Sequence, residues 1–205
     1  MRLARRNALL GFGALLLTGQ FAAPDRARAW QATDISEALP RLAFTVTRAS
    51  DAREVSAADY RGKIVLLSFG YTFCPDVCPA TLVNITAAMS KLGPAAGDLR
   101  VLFVTVDPNR DTLGVLRQYT QAFSPQIVGL RGTPDQLGAL AQRYRVAYSV
   151  EPASGGRPYE VTHGSAVYVF DRNGEARLVL SGLASATQDL DGVAAHLRSL
   201  LAAAS

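Results

Sequence analysis

The sequence predicts an α/β sandwich with a central mixed, mainly parallel sheet flanked by helices, and three observations carry that prediction. Two continuous apolar runs, residues 64–70 and 99–105, read as strands buried in a sheet. The first leads into a helix opened by Pro79 and stopped by Gly93-Pro94, the second into a stretch whose apolar residues recur at helical spacing, so strands and helices alternate. Near the end, Asp171-Arg172-Asn173-Gly174 is a hairpin signal, followed by a return strand and a closing amphipathic helix.

The first 29 residues stand apart from this pattern. Arg2, Arg5 and Arg6 form a basic region, residues 8–17 an apolar core, and Ala27-Arg28-Ala29 a small-residue cleavage signature before Trp30. The apolar core is shorter than the ~20 residues of a spanning helix, so it reads as a cleaved export signal. Arg5-Arg6 followed by Leu9 resembles a twin-arginine signal as much as an ordinary secretory one. Of the 21 basic and 17 acidic residues, this segment holds five arginines and one aspartate, which leaves a neutral remainder. The sequence pI of about 9.3 therefore belongs to the leader, and it marks no nucleic-acid footprint. The chain divides into an export signal (1–29), a linker (30–40) and one domain (41–205).

Within the domain, residues 43–47 alternate polar and apolar as a strand, and a turn at residues 59–63 leads into the central strand. Residues 79–92 form the first helix, stopped by Gly93-Pro94. After the strand at 99–105, Asp111-Thr112 caps a helix with Leu113, Leu116, Tyr119 and Phe123 on one face. Residues 127–130 are a short strand, and Thr133-Pro134 opens a helix through Tyr144. Strands at 146–150 and 166–170 flank a polar loop, residues 176–180 return from the hairpin, and 189–201 is the last helix.

Chemistry concentrates where the first buried strand ends: Gly70-Tyr71-Thr72-Phe73-Cys74-Pro75-Asp76-Val77-Cys78-Pro79 holds both cysteines of the chain. A disulfide across so small a loop removes little chain entropy, so reactive or metal-binding use is the better reading. Pro79 suits the first helical position, which puts Cys78 at the N-cap. There the positive end of the helix dipole favours a thiolate. In open α/β sheets functional groups gather past the carboxyl ends of strands. Two further segments qualify for that rim, Asp107 through Asp111 at a strand end and the loop carrying His163, which topology rather than spacing would have to bring there. If His163 meets the two sulfurs, the donor set is two thiolates and one imidazole. Soft sulfur selects Cu(I), and the imidazole keeps Cu(II) accessible; structural zinc wants four protein ligands. His163 alone reads equally well as an ordinary loop histidine, and His196 on the last helix reads as structural. Asp107 through Thr112 fits a turn and cap, or a polar rim that tunes the thiols. Asp76 is expected to be exposed, and Tyr71, Phe73 and Tyr159 to form an apolar collar.

Residues 69–79 closely resemble the signature of the Sco/SenC family, and Val106-Asp107-Pro108-Asn109-Arg110-Asp111-Thr112 and Val161-Thr162-His163-Gly164-Ser165-Ala166 fit it in order and spacing. The resemblance covers roughly residues 40–200. It implies a thioredoxin-like fold with Cys74, Cys78 and His163 as copper ligands. It implies a metallochaperone role in assembling the binuclear copper centre of cytochrome c oxidase. The partners implied are the copper-accepting subunit of a respiratory oxidase and an upstream copper donor, with no nucleic acid. Membrane association would come only through an uncut signal or the partner, and the location is the bacterial periplasm or the periplasmic face of the inner membrane. An alternative on the same residues is a thiol–disulfide oxidoreductase with Cys74 and Cys78 as the redox pair. Two departures stand out: Phe73 where many relatives carry histidine, and Thr162 where many carry aspartate.

Overall fold

The computed structural model describes residues 31–185 and 189–203, so the expected export signal lies outside the described residues. The strands are β1 (Gln31–Asp34), β2 (Thr45–Arg48), β3 (Glu54–Ser56), β4 (Ile64–Gly70), β5 (Leu99–Thr105), β6 (Ile127–Arg131), β7 (Tyr148–Glu151), β8 (Glu160–His163), β9 (Val167–Phe170) and β10 (Ala176–Ser181). The helices are α1 (Val77–Ser90), α2 (Leu113–Gln121), α3 (Pro134–Arg143) and α4 (Leu190–Ala202).

Eight strands form one mixed sheet in the order β1-β10-β9-β4-β5-β6-β2-β3. Its central trio, β4, β5 and β6, runs parallel, while the strands on either side pair antiparallel. Every residue of β4 is buried because it lies mid-sheet with packing on both faces. Ile64 and Leu66 join one core with Leu82 and Ile85 of α1, Leu116 of α2 and Leu197 of α4. Val65, Leu67 and Phe69 join the other with Leu137 and Leu140 of α3 and Tyr144. Alternate residues of one strand thus serve two cores, the period-two rule applied to both faces.

Three expectations are corrected. The expected linker at 30–40 is more than that from residue 31 on: β1 pairs with β10 from Gln31 opposite Ser181 to Asp34 opposite Leu178, and Ile35 is buried. His163 ends a strand rather than sitting in a loop, since β7 and β8 form a separate two-stranded sheet with Tyr148 opposite His163. Helix α1 begins at Val77 with Asp76 at its N-cap, two residues before Pro79. Proline is tolerated throughout a first turn, where N–H groups have no intrahelical partner. The Asn173-Gly174 turn forms as expected, with Gly174 at φ +77°.

Candidate metal centre

Parallel pairing brings the ends of β4 and β5 to the same rim, with Gly70 opposite Thr105. The chain leaves β4 through Tyr71-Thr72-Phe73-Cys74 and re-enters regular structure at α1. Cys74 is half-buried and Cys78 only 3% exposed. The Cys78 N–H donates to Cys74 Sγ at 3.4 Å, so one orphan amide of the helix start is spent on the other sulfur. Gly70 is required by close approach: a Cβ there falls 2.6 Å from Cys78 Sγ and 2.7 Å from the Phe103 ring.

His163 arrives from the β7–β8 hairpin, and its Nε2 lies 3.2 Å from Cys78 Sγ. Its Nδ1 lies 3.0 Å from the Gly164 carbonyl oxygen, which can only accept. Nδ1 therefore carries the proton and Nε2 presents its lone pair to the sulfur. The edge of one ring meets the face of the other between Tyr71 and His163, with centroids 5.7 Å apart. The donor atoms of Cys74, Cys78 and His163 all lie within 4.8 Å of one another. Two sulfurs and one nitrogen at this spacing fit a soft ion of low coordination number.

The expected thiolate preference of Cys78 is overturned. Burial pushes its thiol above the ordinary value of 9.0, and the nearby Cys74 sulfur and Asp111 carboxylate push the same way. Without metal, Cys78 is an S–H donor toward Nε2.

The polar rim is built more deeply than its sequence suggests. Asp107 and Asp111 are both fully buried. Asp111 accepts from the Thr72 N–H at 3.0 Å, the Thr72 hydroxyl at 2.5 Å and the Thr105 hydroxyl at 2.6 Å, which ties the cysteine loop to β5. The aromatic collar encloses a cation instead of a dry space: the Arg110 guanidinium lies 4.1 Å from the Tyr159 ring centroid, 4.9 Å from Phe73 and 5.7 Å from Tyr71. Phe73 is 56% exposed at the mouth. Asp76 is exposed and makes no side-chain cap hydrogen bond. Thr162 points to solvent, its hydroxyl 2.8 Å from that of Ser149 across the hairpin. His196 is exposed on α4, its Nδ1 2.9 Å from the Gly192 carbonyl, and takes no part in the cluster. The signals for Asp107 and Asp111 were present as an i, i+4 pair after a buried strand, but that pattern also describes an ordinary cap.

Fold and site together define a thioredoxin-like domain with a Cys₂His cluster at the carboxyl end of its parallel strands. Comparison places the chain further: residues 36–201 match the SCO1/SenC family, and the chain belongs to it. It is 38% identical to the mitochondrial SCO2 homolog of Bos taurus over 142 residues, 68% of this chain and 53% of that protein. A SCO2-like protein of Rickettsia felis is 31% identical over 171 residues, covering 82% and 83% respectively. The chain thus spans about half the length of the mammalian relative and most of the bacterial one. Copper-bound ScoI of Bradyrhizobium japonicum superposes with a TM-score of 0.68 at 31% identity, covering 78% of this chain and 98% of that one. Copper-bound yeast Sco1 gives 0.67 at 31% identity, over 78% and 90%.

Proposed function

We propose that this chain binds one copper ion through Cys74, Cys78 and His163 and delivers it to the binuclear copper centre of cytochrome c oxidase. The observation that carries the reading is the convergence of Cys78 Sγ and His163 Nε2 at 3.2 Å beside Cys74, from segments 85 residues apart. Copper-bound relatives of the same fold support it. The two sulfurs supply the soft donors for Cu(I), and the imidazole makes Cu(II) accessible as well. The protein's own contribution is to hold the three donors close, to shield Cys78 from water, and to set Nε2 as acceptor through the Gly164 carbonyl. The working location is outside the cytoplasmic membrane, with the oxidase subunit that accepts copper as partner and a separate copper donor upstream. No described helix is long and apolar enough to cross a membrane. Copper titration of the reduced protein is expected to saturate at one equivalent, and His163→Ala to weaken Cu(II) binding sharply. Unchanged affinity in that variant removes His163 from the ligand set.

A second reading uses the sulfurs as a reductant. Half-buried Cys74 is open to attack a target disulfide, with Cys78 adjacent to resolve the mixed disulfide. The target gains two electrons and two protons as Cys74 and Cys78 form their own disulfide. A Cys78→Ala variant that forms no mixed disulfide with the oxidase cysteines argues against this role.

A further inference from the structure

The hairpin that carries His163 is a sheet of its own, so something other than the main sheet's hydrogen bonds must fix where the imidazole sits. Part of the anchorage is apolar, with Val161 buried in the core and Tyr148 and Val150 packed against it, and the polar part comes from one turn of chain beyond β5. Asp107 is 0% exposed, and its two carboxylate oxygens have different duties. Oδ1 accepts from the Tyr159 hydroxyl at 2.7 Å, and Oδ2 accepts from Arg110 Nε in a close ion pair. Tyr159 lies four residues before His163 at the foot of β8. Arg110, neutralised by the buried carboxylate, places its guanidinium carbon over the rings of Tyr159 of the hairpin and of Phe73 and Tyr71 of the cysteine loop. One cation is therefore wedged between the two segments that supply the metal ligands, in a partly desolvated setting where stacking on several rings is strongest.

We propose that Asp107, Arg110 and Tyr159 are positioning residues that clamp the β7–β8 hairpin to the cysteine loop, so that His163 Nε2 stands over the sulfurs before any metal arrives. The proposal rests on the copper reading for its consequence but not for its geometry. With the clamp in place, the ordering cost of the third ligand is met by folding; without it, each binding event must order the hairpin anew. Cys78 is held in α1 and its N–H holds the Cys74 sulfur, so the thiols keep their places either way. Loss of the clamp therefore removes the nitrogen and spares the thiol pair.

Three variants of the full chain test this. Tyr159→Phe removes one hydroxyl and keeps the ring under Arg110. Arg110→Met removes the charge and the stack, and Arg110→Lys restores charge without the planar fork. In the reduced, metal-free protein, amide hydrogen exchange at residues 159–164 is expected to quicken roughly tenfold or more in Tyr159→Phe and Arg110→Met, as for loss of one buried hydrogen bond. Exchange in β4 and β5 should hold its native rate, and Arg110→Lys should fall between. In the same variants Cu(II) affinity should drop by about 10- to 100-fold, the range found for groups that orient a ligand. Nitrogen coupling in the Cu(II) paramagnetic resonance should weaken, while Cu(I) binding changes less. Native hairpin exchange with native nitrogen coupling overturns the proposal. So does acceleration of β4 and β5 in step with the hairpin, which marks general destabilisation. A parent protein that takes up no copper sinks the proposed function instead, and the metal-free exchange rates still decide the clamp.

Discussion

Adding one carbon at Gly70 tests how tightly the thiol site is packed. In Gly70→Ala the new methyl falls 2.6 Å from Cys78 Sγ and 2.7 and 2.9 Å from two atoms of the Phe103 ring. Neither neighbour is free to yield. Phe103 is 1% exposed and packs on Tyr119 at 5.5 Å, and Cys78 is fixed by the first turn of α1. Overpacking of this kind costs about 1–3 kcal/mol, whereas replacing a strand glycine with alanine recovers only about 0.5–1 kcal/mol. The net is destabilising. For a domain of this size each kcal/mol lowers the melting temperature by roughly 2–4 °C, so a fall of a few degrees is expected. The sulfur's only relief is to rotate or shift, which breaks its 3.2 Å approach to His163 Nε2. Thermal unfolding of the reduced protein, paired with copper titration, reads both effects. Gly138→Ala on the exposed face of α3 is the control, because nothing lies within 4 Å of its added carbon. It should gain up to about 1 kcal/mol. A Gly70→Ala protein as stable as the parent, with its copper affinity intact, would refute the claim that the missing side chain makes room for the sulfur.

Other consequences are as direct. A brief exposure to iodoacetamide should label Cys74 before Cys78, read by peptide mass, because only Cys74 reaches solvent to a useful degree. Asp111→Asn keeps the shape but replaces one accepting oxygen with an NH2, which faces either the Thr72 hydroxyl or the Thr72 N–H and the Thr105 hydroxyl. A loss of about 1–3 kcal/mol is expected in denaturant unfolding, with looser exchange at the Thr72 amide. The raised Cys78 thiol gives a pH dependence with a definite sign. Above the ordinary thiol value of 9.0, the unfolded chain releases a proton that the native protein retains, so metal-free stability falls as pH rises. The slope from this one group is at most about 1.4 kcal/mol per pH unit. Cys78→Ala should flatten the decline measured by chemical denaturation above pH 9; an equally steep decline assigns it to other groups.

The parts of this molecule that announced themselves in sequence were those with a local cause. Apolar runs gave β4 and β5, Asn173-Gly174 gave the β9–β10 hairpin, and Thr133-Pro134 gave the start of α3, because each depends on its own residues and immediate neighbours. Strand β1 was missed because residues 31–34 carry no strong pattern; their extended shape is imposed by pairing with β10, which lies about 150 residues away. The short β8 was hidden for the same reason, since its pairing with β7, from Tyr148 to Glu151, makes it a strand. At the site, the ligand types were readable and their meeting was not. The three motifs named the two sulfurs and the imidazole, but the 3.2 Å approach is a product of topology. Arg110 and Asp107 were the least legible of all. A charged turn residue looks the same on paper whether it faces water or lies between two ligand-bearing segments.

The Cys78 reversal shows how competing effects divide at this site. A helix dipole stabilises a negative charge at its N-terminus by about 0.3–1 kcal/mol, at most about 2 in partly buried settings. At 1.36 kcal/mol per pKa unit that lowers a thiol by about one unit. Burial can raise a buried acid by up to about 3–5 units, and Cys78, at 3% exposure, lies inside that regime. Burial wins, so the helix start does not by itself make Cys78 a nucleophile. An attacking sulfur in disulfide exchange must ionise. In the reductant reading, Cys74 therefore attacks first and Cys78 resolves. A soft cation changes the balance, because it brings into the buried site the positive charge that the dipole supplies too weakly, and the Cys78 proton must then leave. The same burial that makes Cys78 a poor attacking thiol therefore makes its ionisation conditional on a bound metal.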